Sequence, residues 1–158
     1  MTGCEVDGPV ASYVWIDEFE INVSPGQGTA AQKITDGWFY ANGEFLGAYS
    51  LPHEVPVIAE GLTEIQVFPG VKVNGIISSP DIYPFMARYE VDVDLQPERT
   101  DTVSPSTQYL SSVKFAFIED FETGNAFVDD IDGDLETKVE PIGGADVFEG
   151  ERSGYIQL

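Results

Sequence analysis

The chain is short of cysteine, histidine and positive charge, and each shortage excludes something. One cysteine, Cys4, leaves no partner for an internal disulfide. The fold must therefore hold by packing, alone or with help from a bound ion. The single histidine, His53, has only Glu54 beside it as an acid–base or ligand partner, so it reads as a surface-loop residue. Seven Lys plus Arg stand against 28 Asp plus Glu, a formal net charge of -21. Such a surface repels phosphate backbones, which argues against nucleic acid as a partner, and it repels anionic lipid head groups as well. No apolar run reaches the roughly 18 residues that a membrane-crossing helix needs. Helical periodicity is almost absent.

What is present instead is alternation. Hydrophobic residues make up 42% of the chain and aromatics 12%, enough for a real core and too much for wholesale disorder. From Tyr13 to Val23 the odd positions Tyr13, Trp15, Phe19, Ile21 and Val23 form an apolar set, broken by Asp17. This predicts one half-buried strand with its odd side chains inward. From Tyr89 to Leu95 the alternation is strict, with Tyr89, Val91, Val93 and Leu95 on one side and Glu90, Asp92 and Asp94 on the other. Val113, Phe115, Phe117 and Phe121 give a further inward set, interrupted by Glu119, and predict a strand from Lys114 to Phe121.

Turn chemistry separates these runs. Asn42-Gly43, between Trp38-Phe39-Tyr40 and Phe45-Leu46, is a strong hairpin signal because both residues tolerate positive φ. Asn74-Gly75 suggests a second hairpin, and Ser24-Pro25-Gly26 and Pro69-Gly70 mark breaks. Sixteen Gly and ten Pro suit many turns between short strands. The expectation is an all-β fold built as an antiparallel β-sandwich.

The expected organisation is an N-terminal tether at 1–11, a sandwich domain at 12–97, a linker or crossover at 98–112, and a partial second β unit at 113–158. Residues 97–112 suggest a linker because Pro, Ser and Thr crowd there with few apolar side chains. The terminal Tyr155-Ile156-Gln157-Leu158 reads as a strand rather than a tail.

Three resemblances add to this reading. Thr2-Gly3-Cys4 resembles the end of a bacterial lipoprotein signal, with Met1 where Leu is usual. It implies lipid on Cys4, and membrane attachment through that anchor only. The order Tyr13-Val14-Trp15-Ile16, Gly28-Thr29, Ile34-Thr35-Asp36-Gly37-Trp38 and onward to Tyr83-Pro84-Phe85 resembles the N-terminal module of uncharacterised Bacteroidetes surface lipoproteins. Gly43-Glu44-Phe45-Leu46-Gly47 is similar to small β-sandwiches of the PEGA type. Glu119-Asp120-Phe121-Glu122 is similar to the opening of that family's jelly-roll-like second module, of the adhesin or carbohydrate-binding sort. The resemblance implies an Ig-like or PEGA-like sandwich at the cell envelope, on an outer membrane or cell surface, with surface proteins or glycans as partners. It implies no activity.

Candidate chemistry is sparse. Asp129, Asp130, Asp132 and Asp134, with Gly133, form the densest acidic cluster and are the candidate Ca²⁺ ligands. Placing Gly133 at the glycine of an EF-hand loop puts Val128 and Val139 at its first and last ligand positions, so this is no EF-hand. A solvated acidic loop is the plainer expectation. Cys4 lacks the context of a catalytic nucleophile. Asp120 and Glu122, on a common strand face, imply no substrate cleft for a glycosidase pair. The chain therefore reads as non-enzymatic: a surface scaffold, with a Ca²⁺-stabilised carbohydrate-binding or adhesin module as the alternative. Asp17 and Glu119 need partners if buried, and Lys33, Arg88 and Lys114 are the nearest cations. Of the aromatics Trp15, Trp38, Phe39, Tyr40 and Tyr49, the two tryptophans are the expected core residues, Phe39 is left open because it alternates with them, and an exposed sugar platform is the alternative.

Overall fold

A computed structural model describes residues 8–76, 79–129, 131, 133 and 138–156. Its described residues contain strands, turns and one short 3₁₀ turn, Val73–Gly75, and no α-helix. The chain is all-β, as its alternation predicts. It divides into two compact units, the first formed by Met1–Val23 with Gln32–Val113 and the second by Ser24–Ala31 with Lys114–Leu158.

In the first unit, β1 (Ser12–Ile16) lies between β5 (His53–Val57), antiparallel to it, and β9 (Thr100–Val103), parallel to it. β2 (Glu20–Asn22) pairs in parallel with β10 (Ser106–Gln108). The third sheet is antiparallel and has five strands. Its long strand β6 (Gly61–Lys72) pairs with β3 (Asp36–Ala41) on one side and with β7 (Pro80–Ile82) and β8 (Tyr89–Leu95) on the other. β4 (Glu44–Ser50) closes the β3 edge. The core lies between sheets: Val14 and Ile16 of β1, Val55 and Val57 of β5 and Val103 of β9 pack with Phe39, Ala41, Ile65, Val67 and Leu95. This is sandwich packing.

The Asn42-Gly43 turn forms as expected, with φ of 49° and 78°. β8 buries Leu95 and turns Glu90, Asp92 and Asp94 to solvent. Asn74-Gly75 lies in the connection from β6 to β7, a wider loop than a tight hairpin because the ladder stops at Lys72↔Pro80.

Several expectations are corrected. Tyr13 to Val23 is not one strand: Ser12, Val14 and Ile16 are buried in β1, whereas Phe19 and Ile21 are buried beyond the break at Asp17-Glu18. The break changes the inward phase from even to odd positions, since a shift of one residue exchanges the two faces of a strand. Trp15 is consequently outside, 37% exposed, and its indole N–H donates to Asp17 Oδ1 at 2.9 Å. Asp17 also accepts from Ser104 Oγ at 2.6 Å, so it is satisfied without a cation. Phe39, with no exposed surface, and Phe19, rather than Trp15 or Trp38, are the aromatics of the core.

Segment 98–112, expected as a linker or crossover, contains two paired strands, β9 beside β1 and β10 beside β2. Its polarity misleads because each short strand buries one side chain, Val103 or Thr107. The buried Thr107 hydroxyl donates to the Ala87 carbonyl at 2.6 Å.

Pro69-Gly70 is not a break either, but sits inside β6. Pro69 falls in the gap between the end of β8 pairing at Val67 and the start of β7 pairing at Gly70. Its carbonyl accepts from Tyr83 N–H on that side, so the missing proline N–H costs no bond to β3.

The second unit contains the hairpin of β11 (Glu140–Gly143) and β12 (Arg152–Tyr155). The expected strand from Lys114 to Phe121 does not form. Glu119 instead accepts the backbone N–H groups of Phe121 and Ala126, at 2.8 and 2.7 Å, and Phe121 has a φ of 60°. Side-chain capture of backbone donors competes here with a sheet ladder. Phe115 and Phe117 are accordingly exposed rather than inward.

Candidate interaction surface

The five-stranded sheet has one face on the core and an outward face that is unusually aromatic. On β3, Phe39 and Ala41 point in, so Trp38 and Tyr40 point out. Register then sets their neighbours. Trp38 stands opposite Phe68 of β6 and Ala48 of β4, and Tyr40 stands opposite Gln66 and Phe45.

Phe45 reaches this face because of a bulge. The β3–β4 register shifts between Phe39 and Tyr40, so Leu46 is extra on β4. Leu46 packs against the core while Phe45 turns outward, 47% exposed. A bulge re-aims a side chain in this way. Gly47 belongs to the same device, because a Cβ there would sit 2.7 Å from the Tyr49 ring. That ring's hydroxyl donates to the Leu46 carbonyl at 3.1 Å.

The rings form a continuous patch. Trp38 and Phe45 stack at 5.2 Å with 27° between planes, Tyr40 lies 5.2 Å from Phe45, and Tyr40 lies 5.3 Å from Phe68. The Arg88 guanidinium sits 5.6 Å over the Phe68 ring and pairs with Glu90 at 2.8 Å. Gln66 donates to both Glu64 and Glu90. Glu64 stands directly opposite Asp92, with Asp94 further along the exposed side of β8. Trp38 Nε1 is a buried donor with no partner among the described residues, a cost carried by this face.

At the other end of the same face lies a polar pair that sequence reading did not single out. Asp36 is buried, opposite Gly70 of β6 and Ser50 of β4. Lys72 Nζ contacts its two carboxylate oxygens at 2.6 and 2.5 Å, and the Thr35 and Ser50 hydroxyls donate to it as well. Burial pushes the Asp36 carboxyl up. The hydrogen bonds from Lys72, Thr35 and Ser50, with the Lys72 charge, outweigh that and hold it below the usual aspartate value. A backbone glycine admits the pair: a Cβ at Gly70 would lie 3.0 Å from Asp36 Cβ.

The other sequence candidates are placed as follows. Cys4, Asp130, Asp132 and Asp134 lie outside the described residues, and Asp129 is exposed. Among the described residues no group of three or more His, Cys, Asp or Glu side chains could hold a metal ion. His53 begins β5, exposed, with its ring stacked 4.6 Å from Tyr49. In the second unit, Glu119, Asp120, Phe121 and Glu122 line an open cleft of about 660 Å³ with Glu149 and Arg152. Its acids are occupied by the chain itself. Asp120 accepts from Glu122 N–H, and Glu122 accepts from the N–H groups of Glu151 and Arg152. Glu149 accepts from the Thr29 hydroxyl at 2.5 Å. These carboxylates shape loops.

No family model matches the chain, and it matches neither a curated protein nor a solved structure.

Proposed function

We propose that this chain is a non-enzymatic interaction module, held at a cell surface, that binds its partner through the outward face of the five-stranded sheet. The carrying observation is the Trp38–Phe45–Tyr40–Phe68 patch on the face opposite the core. Aromatic rings on a solvent face leave apolar surface in water, and covering it with a partner's surface is favourable; contact patches of this kind dominate binding energies. The surface location rests on the resemblance of Thr2-Gly3-Cys4 to a lipoprotein signal. Acylated Cys4 is the expected result from the intact mass of the mature protein expressed with its native upstream sequence. An unmodified thiol there would remove the tether.

Phe45→Ala tests the binding face, because Phe45 is exposed and contributes little to the core. The variant should melt within a few degrees of the parent and lose binding to whatever peptides or oligosaccharides the parent retains in calorimetric titrations. Full retention of that binding would place the site elsewhere.

A Ca²⁺-stabilised carbohydrate module is the second reading, favoured by the ring patch, since flat rings also stack on sugar faces. Its cation component has a direct measurement. A site occupied only in the native state adds about 2.7 kcal/mol at a hundredfold excess of ligand over Kd. Screening of the -21 charge raises the melting temperature too, so the informative comparison is CaCl₂ against NaCl at equal ionic strength. The expected result is the same rise in both, with Asp129 and its neighbours acting as a solvated loop. A rise specific to Ca²⁺ and reduced by Asp132→Asn would establish the site.

A further inference from the structure

We infer that the occupant of the aromatic face is a cationic peptide segment of a protein partner, one that places Arg or Lys side chains over Trp38 and Phe45. The inference rests on the reading of this face as the binding surface and adds the partner's chemistry.

Three observations carry it. First, the face already holds one such contact within the chain: Arg88 lies over Phe68 while its charge is met by Glu90. The Trp38 and Phe45 rings beside it offer the same chemistry with no cation of the chain on them among the described residues. Trp is the strongest of the aromatic rings in attracting a cation. Second, Glu64 and Asp92 are directly opposed across the β6–β8 ladder. Like charges at opposed positions destabilise a sheet. No ion pair among the described residues reaches Asp92, and Glu64 is met only by the neutral Gln66 amide. Third, the two cations of the face are committed, Arg88 to Glu90 and Lys72 to Asp36. The uncompensated charge of this face is therefore negative.

Other occupants meet that charge badly. A neutral glycan would stack on the rings but leave the Glu64–Asp92 repulsion in place. A second copy of the chain would bring another -21 and the same acidic margin. Nucleic acid and anionic membranes are repelled. A peptide carrying more than one guanidinium or ammonium group can bring one to the acidic pair and another to the rings, Phe45 lying three strands across the sheet from Asp92.

A chain of this charge attracts any polycation, so the test must separate the face from the field. The full chain is titrated calorimetrically with an arginine–alanine peptide and with its citrulline counterpart, which keeps the shape and loses the charge. The arginine peptide should bind and the citrulline peptide should not. Phe45→Ala, which leaves net charge unchanged, should weaken the arginine peptide by roughly threefold to thirtyfold, the range expected for a cation–ring contact. Glu64→Gln with Asp92→Asn should weaken it and flatten its salt dependence. Glu18→Gln with Glu20→Gln removes as much charge from exposed positions on β2 and the turn before it, and should cost less.

Equal effects of the two charge-removing pairs, or an unchanged affinity in Phe45→Ala, would overturn the inference and leave only general electrostatic attraction. Should a neutral oligosaccharide instead show Phe45-dependent binding, the cationic partner is wrong and the binding face stands. Should no ligand of either kind depend on Phe45, both fall.

Discussion

Phe39→Ala should destabilise the first unit by about 3–5 kcal/mol, the cost of removing a buried aromatic and leaving a cavity that its neighbours fill only in part. Phe39 has no exposed surface and belongs to a cluster with Val14, Ile16 and Val55 of the β1 sheet and Ile65 and Val67 of the five-stranded sheet. Its loss would therefore weaken the contact between sheets rather than one strand. Trp15→Ala is the informative contrast. Although tryptophan is the larger residue, Trp15 is 37% exposed, and its one polar contact is with Asp17. That substitution should cost about 1 kcal/mol or less. Both tryptophans lie in the first unit, so urea unfolding followed by tryptophan emission reports on that unit. In Trp15→Ala the remaining Trp38 still reports. A larger loss from Trp15→Ala than from Phe39→Ala would contradict the placement of the core.

Asp36→Asn should cost about 1–3 kcal/mol at neutral pH, because it removes a buried charge that holds Lys72 and two hydroxyls. The difference between parent and variant should depend on pH. The folded carboxyl titrates below its unfolded value, so the native state favours the ionised form. The contribution is complete above the ordinary carboxylate range and disappears as pH falls through the lowered folded value. Urea midpoints measured at neutral, mildly acidic and strongly acidic pH should show the gap closing only at the acid end. Taking parent minus variant removes the background titration of the other carboxylates. Lys72→Met should act in the opposite sense to the pairing: with its cation gone, burial raises the Asp36 carboxyl, and the variant should recover relative to the parent on acidification. The double substitution should cost less than the sum of the two, since the residues share one contact. A gap between parent and Asp36→Asn that persists in strong acid would show that packing, rather than charge, sets the cost.

The face that carries the proposed binding was only partly legible in the chain. Trp38, Tyr40 and Phe45 stand out as aromatics, and strict alternation places Trp38 and Tyr40 on one side of a strand. Alternation does not say which side is inside when both are apolar: Trp38 and Tyr40 oppose Phe39 and Ala41. The same ambiguity affects β1, where Tyr13 and Trp15 compete with Val14 and Ile16, and the more aromatic set turned out to be the outer one. The bulge at Leu46 has no signal beyond Gly47, which permits the close approach of Tyr49.

What the residues determined by themselves are properties carried by short spacing and by sums. The all-β class follows from period-two alternation, and the β3–β4 turn follows from the positive φ that Asn42 and Gly43 accept. The exposed acidic side of β8 follows from three carboxylates at alternate positions, and the repulsion of polyanions follows from the net charge. Tertiary structure alone decided the phase of β1, the parallel pairing of β9 and β10 with distant strands, and the burial of Asp36 beside Lys72. Each of these depends on a partner far along the chain. Parallel neighbours need a long connection, and β9 is separated from β1 by most of the first unit. A strand's inner face is whichever side its neighbours cover, and a carboxylate can be buried only where a cation and hydroxyls from other strands arrive to meet it.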